Sequence, residues 1–172
     1  ATAFSVSDFV AEIAGNEVVA GTELDSKVKV ISFEQEVGEV IAEINSTGNV
    51  VETYAEDIDQ DGSVDVVVLN DQGQSSSVYY NNGQFVPLAE ITEGSIPQFS
   101  INDQSQSFGL VSGGQLVDFN LDGFIDLITC GNNQLRFYTN VVGIYTRTPQ
   151  LVNWGAGSIR GMRFGDLDGD GV

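Results

Sequence analysis

The chain has no histidine, one cysteine and only two lysines, Lys27 and Lys29. Each shortage removes a class of function. Without histidine there is no His-dependent triad, no imidazole proton shuttle and no His-ligated zinc. One cysteine, Cys130, supplies neither an internal disulfide nor a thiolate cluster. Lys plus Arg number 6 against 25 Asp plus Glu, a net charge of −19. Binding to phosphates takes basic side chains, so nucleic acid and anionic membrane surfaces are excluded as partners. The longest apolar run, Val64 to Leu69, is interrupted by Asp65, so no membrane insertion is expected. The chain opens at Ala1 without a leader pattern and is expected to be a processed chain or a piece of a longer one. Charge this lopsided points to one kind of partner first: a cation.

What is present is room for one domain, 172 residues of which 41% are hydrophobic, and 20 glycines. Helical periodicity is weak. The one candidate, Phe4 to Ile13, forms no clean stripe. Short β-branched and aromatic runs between turn residues dominate instead. Lys27 to Phe33 and Glu39 to Ile44 alternate. Val64 to Leu69 and Ile125 to Cys130 carry apolar residues on both faces, as a strand buried on both sides does. Ser77 to Tyr80 leads into the turn Asn81-Asn82-Gly83 and then Gln84 to Val86, and Leu135 to Tyr138 leads into Asn140 to Gly143. The expectation is an all-β meander.

The meander repeats. Asp57-Ile-Asp-Gln-Asp-Gly-Ser-Val-Asp65 aligns with Asp118-Phe-Asn-Leu-Asp-Gly-Phe-Ile-Asp126, each entering an apolar run and then an aromatic strand. A third copy begins at Asp166-Leu-Asp-Gly-Asp-Gly-Val172. Repeats of roughly 50 residues built from several short strands are the mark of propeller blades. The reading is a partial β-propeller of about three blades of antiparallel strands. Residues 1–50 are a degenerate or partial blade, with Glu17–Ala20 and Val28–Ile31 as its inner strands. Residues 51–112 are the first clear repeat, 113–160 the second, and 161–172 the start of a truncated third. A ring closes with roughly four to eight blades. The chain is therefore expected to be a segment whose remaining blades belong to the same or a neighbouring chain, and its open blade faces are expected to make the isolated piece poorly soluble.

The loop pattern D-x-[DN]-x-D-G-x-x-D has legible chemistry. Ca²⁺ takes about six to eight oxygen ligands at about 2.3–2.6 Å. Alternate residues of a tightly curled loop aim their oxygens at one centre. In the first loop these are Asp57, Asp59, Asp61, the carbonyl of Ser63, and Asp65. In the second they are Asp118, Asn120, Asp122, the carbonyl of Phe124, and Asp126. In the third they would be Asp166, Asp168, Asp170 and the carbonyl of Val172. Gly62, Gly123 and Gly171 hold the sixth position, where a sharp turn favours positive φ. An EF-hand shares these six positions but needs a Glu at the twelfth and a helix after it. Here Val68 and Thr129 stand at the twelfth, a β run follows, and the ninth-position Asp closes the shell. Three or four carboxylates suit Ca²⁺ better than Mg²⁺, which keeps more of its water. Acidic surface turns are the simpler alternative, since Asp, Asn and Gly form turns anyway. The recurrence of one ligand spacing, and the repulsion of four carboxylates in nine residues without a cation, favour the metal.

The pattern resembles the FG-GAP/VCBS repeat family, found in integrin α-subunit propellers and many secreted proteins. Ser107-Phe108-Gly109 and Phe164-Gly165 ahead of acidic loops, and Val78-Tyr-Tyr-Asn-Asn-Gly-Gln-Phe85, carry the likeness over roughly residues 50 to 172. The family's Gly-Ala-Pro element is absent, with Gly113-Gly114 and Gly155-Ala156-Gly157 in the neighbouring places. The resemblance implies a propeller, seven-bladed in many members, with Ca²⁺ in structural loops and, in some members, ligand binding on surface loops. It implies no single activity.

Other candidates read as structural. Gly155 to Gly161 lacks the spacing and the βαβ setting of a nucleotide loop. Cys130 reads as a small buried hydrophobe. Trp154, with Tyr145, Arg147 and Asn153, reads as a blade contact before a sugar-stacking surface. Glu34, Glu36 and Glu39 read as a charged strand edge before a glycosidase pair. Asn45-Ser46-Thr47 is an N-glycosylation triplet. The functional expectation is an extracellular or cell-surface, Ca²⁺-stabilised, non-enzymatic module for adhesion, ligand binding or assembly, with a protein or glycan ligand. The alternatives are the non-catalytic part of a secreted polysaccharide lyase or hydrolase, or a structural subunit of a surface filament or sheath.

Overall fold

The computed structural model describes residues 3–7, 17–21, 27–34, 37–45, 49–71, 77–81, 98–100, 111–131, 133–146, 150–153, 155, 159 and 162–165. All regular structure among them is β. The first sheet is a meander of β1 (Ala3–Ser7), β2 (Glu17–Gly21), β3 (Lys27–Glu34) and β4 (Val37–Asn45), antiparallel in that order. The two runs singled out near the start of the chain fall in its two central strands. Residues 4–7, within the weak helical candidate, are strand; residues 8–13 lie outside the described residues.

The second sheet is β5 (Val50–Glu56), β6 (Asp65–Asn70), β7 (Ser77–Tyr79) and β8 (Gln98–Ser100). The third uses β9 (Gly113–Val117), β10 (Asp126–Gly131), β11 (Gln134–Tyr138) and β14 (Gln150–Asn153). A short hairpin, β12 (Asn140–Val141) and β13 (Ile144–Tyr145), is inserted before β14. Val142 and Gly143 turn it with φ of 52° and 82°. Two consecutive positive φ values match the right-handed twist of a hairpin.

The three sheets stack face to face. β6 and β10 are buried along their whole length; each is an inner strand of its sheet, and the sheet that holds β6 lies between the other two. One core lies between the first and second sheets, from Val19, Val28, Val30 and Ile44 against Ala55, Val66, Val68 and Tyr79. A second lies between the second and third, from Val67, Leu69 and Val78 against Leu127, Tyr138 and Tyr145. Alternation along β6 thus sends Val66 and Val68 to one neighbour and Val67 and Leu69 to the other. The leading strands of the sheets are neighbours too, β5 touching both β1 and β9. The described residues do not close a ring.

Where β9 crosses the second sheet only glycine fits. A Cβ on Gly114 would lie 2.3 Å from Leu69 Cδ1 and 3.0 Å from the Ile128 carbonyl oxygen. The close approach lets Gly114 N–H donate to Glu52 Oε2 at 2.6 Å, tying β9 to β5. Glu52 also accepts from the Tyr54 hydroxyl.

Candidate metal centre

The first acidic loop joins β5 to β6, and the second joins β9 to β10, the same place in successive sheets. Their local hydrogen bonds match position by position. In the first, Asp61 N–H donates to Asp57 Oδ1 (3.1 Å) and Asp59 Oδ1 (3.2 Å), Gly62 N–H to Asp57 Oδ2 (3.0 Å), and Ser63 N–H to Asp61 Oδ1 (2.8 Å). In the second, Asp122 N–H donates to Asp118 Oδ1 (3.1 Å) and Asn120 Oδ1 (2.9 Å), Gly123 N–H to Asp118 Oδ2 (2.8 Å), and Phe124 N–H to Asp122 Oδ1 (2.9 Å). The backbones match as well. Gln60 and Leu121 have φ of 61° and 60°, and Gly62 and Gly123 have φ of 93° and 90°. Side-chain oxygens folding back onto backbone N–H groups are what make Asp and Asn good builders of such turns.

The curl brings Asp57, Asp59 and Asp61 together. One oxygen from each lies within 4.8 Å of the others. Asp65 is not in that cluster. It is fully buried beneath the loop, accepting from Ile58 N–H at 2.9 Å and Asn81 N–H at 2.8 Å, one bond per oxygen. Asp126 is buried in the same way and accepts from Phe119 N–H (3.2 Å) and Asn140 N–H (2.7 Å). Each carboxylate oxygen has a second lone pair, so both aspartates keep capacity for a cation. Burial pushes the Asp65 carboxyl up to about 6 against the two amide bonds, with Asp59 and Asp61 adding to the rise. Asp126 is raised for the same leading reason. The donors are oxygen throughout, four carboxylate or carboxamide groups in each loop plus a carbonyl, which fits a hard cation such as Ca²⁺.

Asp166, Asp168, Asp170 and Val172 lie outside the described residues, as do Ser107–Gly109, Asn82–Val86, Glu36, Ser46, Thr47, Arg147 and Trp154. Tyr145 is buried in the second core with its hydroxyl on the Ile125 carbonyl at 3.1 Å, so it takes no part in a sugar-stacking surface. Cys130 is buried and free.

Sequence reasoning treated Asn140 as a turn residue. The structure makes it a clip between repeats. Its Nδ2 donates to the carbonyls of Ile58 (2.9 Å) and Ile125 (3.1 Å), one in each acidic loop. Gln60 Nε2 donates to the Gly123 carbonyl at 2.6 Å, and the Tyr80 hydroxyl to the Gly143 carbonyl. The available signal was the matching position of Asn81 and Asn140 after the third strand of each repeat.

Residues 118–172 match the family model described as an FG-GAP-like repeat. The match begins at the first aspartate of the second loop. A match of that description in a chain whose described regular structure is all β is consistent with the resemblance read from the loops. No curated protein matches the chain.

Proposed function

We propose that this chain is an extracellular, Ca²⁺-stabilised β-propeller segment that serves adhesion, ligand binding or assembly and performs no catalysis. The observation that carries the reading is the repetition of one loop geometry at the same strand junction of two stacked sheets, with Asp57, Asp59 and Asp61 gathered by the first of them. Asp57, Asp59, Asp61, Ser63 and Asp65 would hold one ion. Asp118, Asn120, Asp122, Phe124 and Asp126 would hold another. The ion supplies positive charge that cancels carboxylate repulsion and pins the turn feeding the buried strand. The protein's residues do the rest: backbone N–H groups preset the carboxylates and Gly62 and Gly123 permit the curl.

The extracellular placement rests on the charge of −19, the scarcity of lysine and the Asn45 glycosylation triplet. Assembly has an observation of its own. β14 has a paired neighbour on one side only among the described residues, and Leu151 and Val152 on it are 40% and 46% exposed. Such an edge can pair with a strand of a neighbouring blade or chain.

The test is thermal unfolding in EGTA, in millimolar Ca²⁺ and in Mg²⁺. A site filled at about a hundredfold over its Kd adds about 2.7 kcal/mol. At about 2–4 °C per kcal/mol for a chain of this size, two sites raise the midpoint by about 10–20 °C. Asp61→Ala and Asp122→Ala are each expected to remove at least about half of the rise. An equal response to Mg²⁺, or none to Ca²⁺, returns the loops to ordinary acidic turns. Capture of glycans or proteins separates an adhesin from a filament subunit, which shows concentration-dependent assembly; turnover of a polysaccharide overturns the non-enzymatic assignment.

A further inference from the structure

We propose that the two acidic loops bind their cations cooperatively, coupled through Asn140 and Ile58. The proposal rests on the cation reading above and goes beyond it, because it makes the two sites one unit.

The connection is continuous. Asp65 accepts from Ile58 N–H at 2.9 Å. The carbonyl of Ile58 accepts from Asn140 Nδ2 at 2.9 Å, and the Ile125 carbonyl shares the same amide at 3.1 Å. Asn140 N–H donates to Asp126 at 2.7 Å. The ninth-position aspartates of both loops are thus joined by one residue from each repeat. Ile58 sits between Asp57 and Asp59, and Ile125 immediately precedes Asp126. Ile58 and Asn140 are fully buried, so water does not substitute for these bonds. The Asn140 amide has two N–H groups and faces two carbonyls, which sets its orientation; a reversed amide would put oxygen against oxygen. Two further contacts tie the first loop to the second repeat. Gln60 Nε2 reaches the Gly123 carbonyl. Gly143 packs so closely on Asp59 that a Cβ there would lie 2.6 Å from Asp59 Cβ.

Filling either loop fixes its aspartates and, through these bonds, orders the shared peptides. The second ion then meets a loop already ordered, and cooperativity follows from conformational entropy. The coupling is reciprocal by thermodynamic necessity.

The experiment is a Ca²⁺ titration of the ¹⁵N-labelled chain, read at the amide resonances of Gly62 and Gly123, one in each loop, with amide exchange as a second readout. Asp61→Ala is expected to weaken binding at Gly123 by about fivefold or more, and Asp122→Ala to weaken binding at Gly62 by the same factor. In Asn140→Ala both effects are expected to fall below about twofold, while Ca²⁺ in the parent chain slows exchange of the Asn140 amide. Affinity at Gly123 unchanged by Asp61→Ala overturns the coupling and leaves the cation reading standing. No response to Ca²⁺ at either glycine overturns both. If Asn140→Ala fails to fold, the readout moves to Asp122→Ala, in which the first loop is the stronger site; exchange of the Asn140 amide unchanged by Ca²⁺ there overturns the proposal.

Discussion

Gly62 and Gly123 have no atom within 4 Å of where a Cβ would stand, so the whole cost of replacing them is in the backbone. At φ of 93° and 90°, Gly62→Ala and Gly123→Ala are each expected to cost about 1–2 kcal/mol. Gln60 and Leu121 already sit in the left-handed region, so Gln60→Gly and Leu121→Gly are expected to change stability by under about 1 kcal/mol. Chemical denaturation of the four variants checks the contrast. Gly114 is the opposite case, a steric one. Gly114→Ala drives a methyl into Leu69 and the Ile128 carbonyl and is expected to cost about 1–3 kcal/mol, read as a lower denaturation midpoint. The loop glycines were legible from their sixth position in a known kind of turn. Gly114 was noticed only as part of a pair out of place, because the atom that excludes a side chain there belongs to Leu69 of the preceding sheet.

At the scale of the element, each loop is a pair of layers: exposed oxygens above and one buried aspartate below. The Asp65 carboxyl is raised to about 6 from an ordinary value near 3.8, and Asp126 and Glu56 shift the same way through burial. The folded chain then binds more protons than the unfolded one between those values. Without metal, stability is therefore expected to rise as pH falls from 7 toward about 4, by several degrees in midpoint. With Ca²⁺ the sign reverses, because protons compete for the same carboxylates, and the Ca²⁺-dependent increment is expected to shrink over the same range. Unfolding midpoints across this pH range in EGTA and in Ca²⁺ check both halves. Glu43 shifts the other way, lowered chiefly by its bond from Lys27 at 2.6 Å, so its contribution is present above its ordinary value of 4.5 and is lost as pH falls below it. Ligand spacing made the upper layer readable in the sequence. Nothing in the spacing said that the ninth aspartate would also hold two backbone amides.

At the scale of the molecule, a charge of −19 on 172 residues opposes compaction, and the loops concentrate part of it. Raising NaCl from low concentration to about 0.5 M is expected to raise the midpoint of the metal-free chain through screening and to do less for the Ca²⁺ form, whose loop charge the proposed ions would partly cancel. Differential scanning calorimetry in the two states checks this. The sheets hold against that charge by burying apolar faces in two successive cores, with Val66 and Val68 serving one and Val67 and Leu69 the other. The buried-on-both-sides character of Val64 to Leu69 was plain in the sequence, since alternation fails only where both faces meet protein. Which sheet each face would meet was not.

By itself, the sequence determined the β class, the order of the central strands, the repeated acidic loops and the oxygen chemistry they offer a cation. These follow from interactions within a few residues: period-two alternation, Asp and Asn folding back on nearby N–H groups, glycine at positive φ. The tertiary structure alone decided what joins one repeat to the next. Asn140 meets Ile58 across 82 residues, Gly114 meets Leu69, and Asp65 and Asp126 are buried rather than exposed with their loops. Such contacts leave no local period, because the stacking of whole sheets, and not the neighbouring residues, brings the partners together.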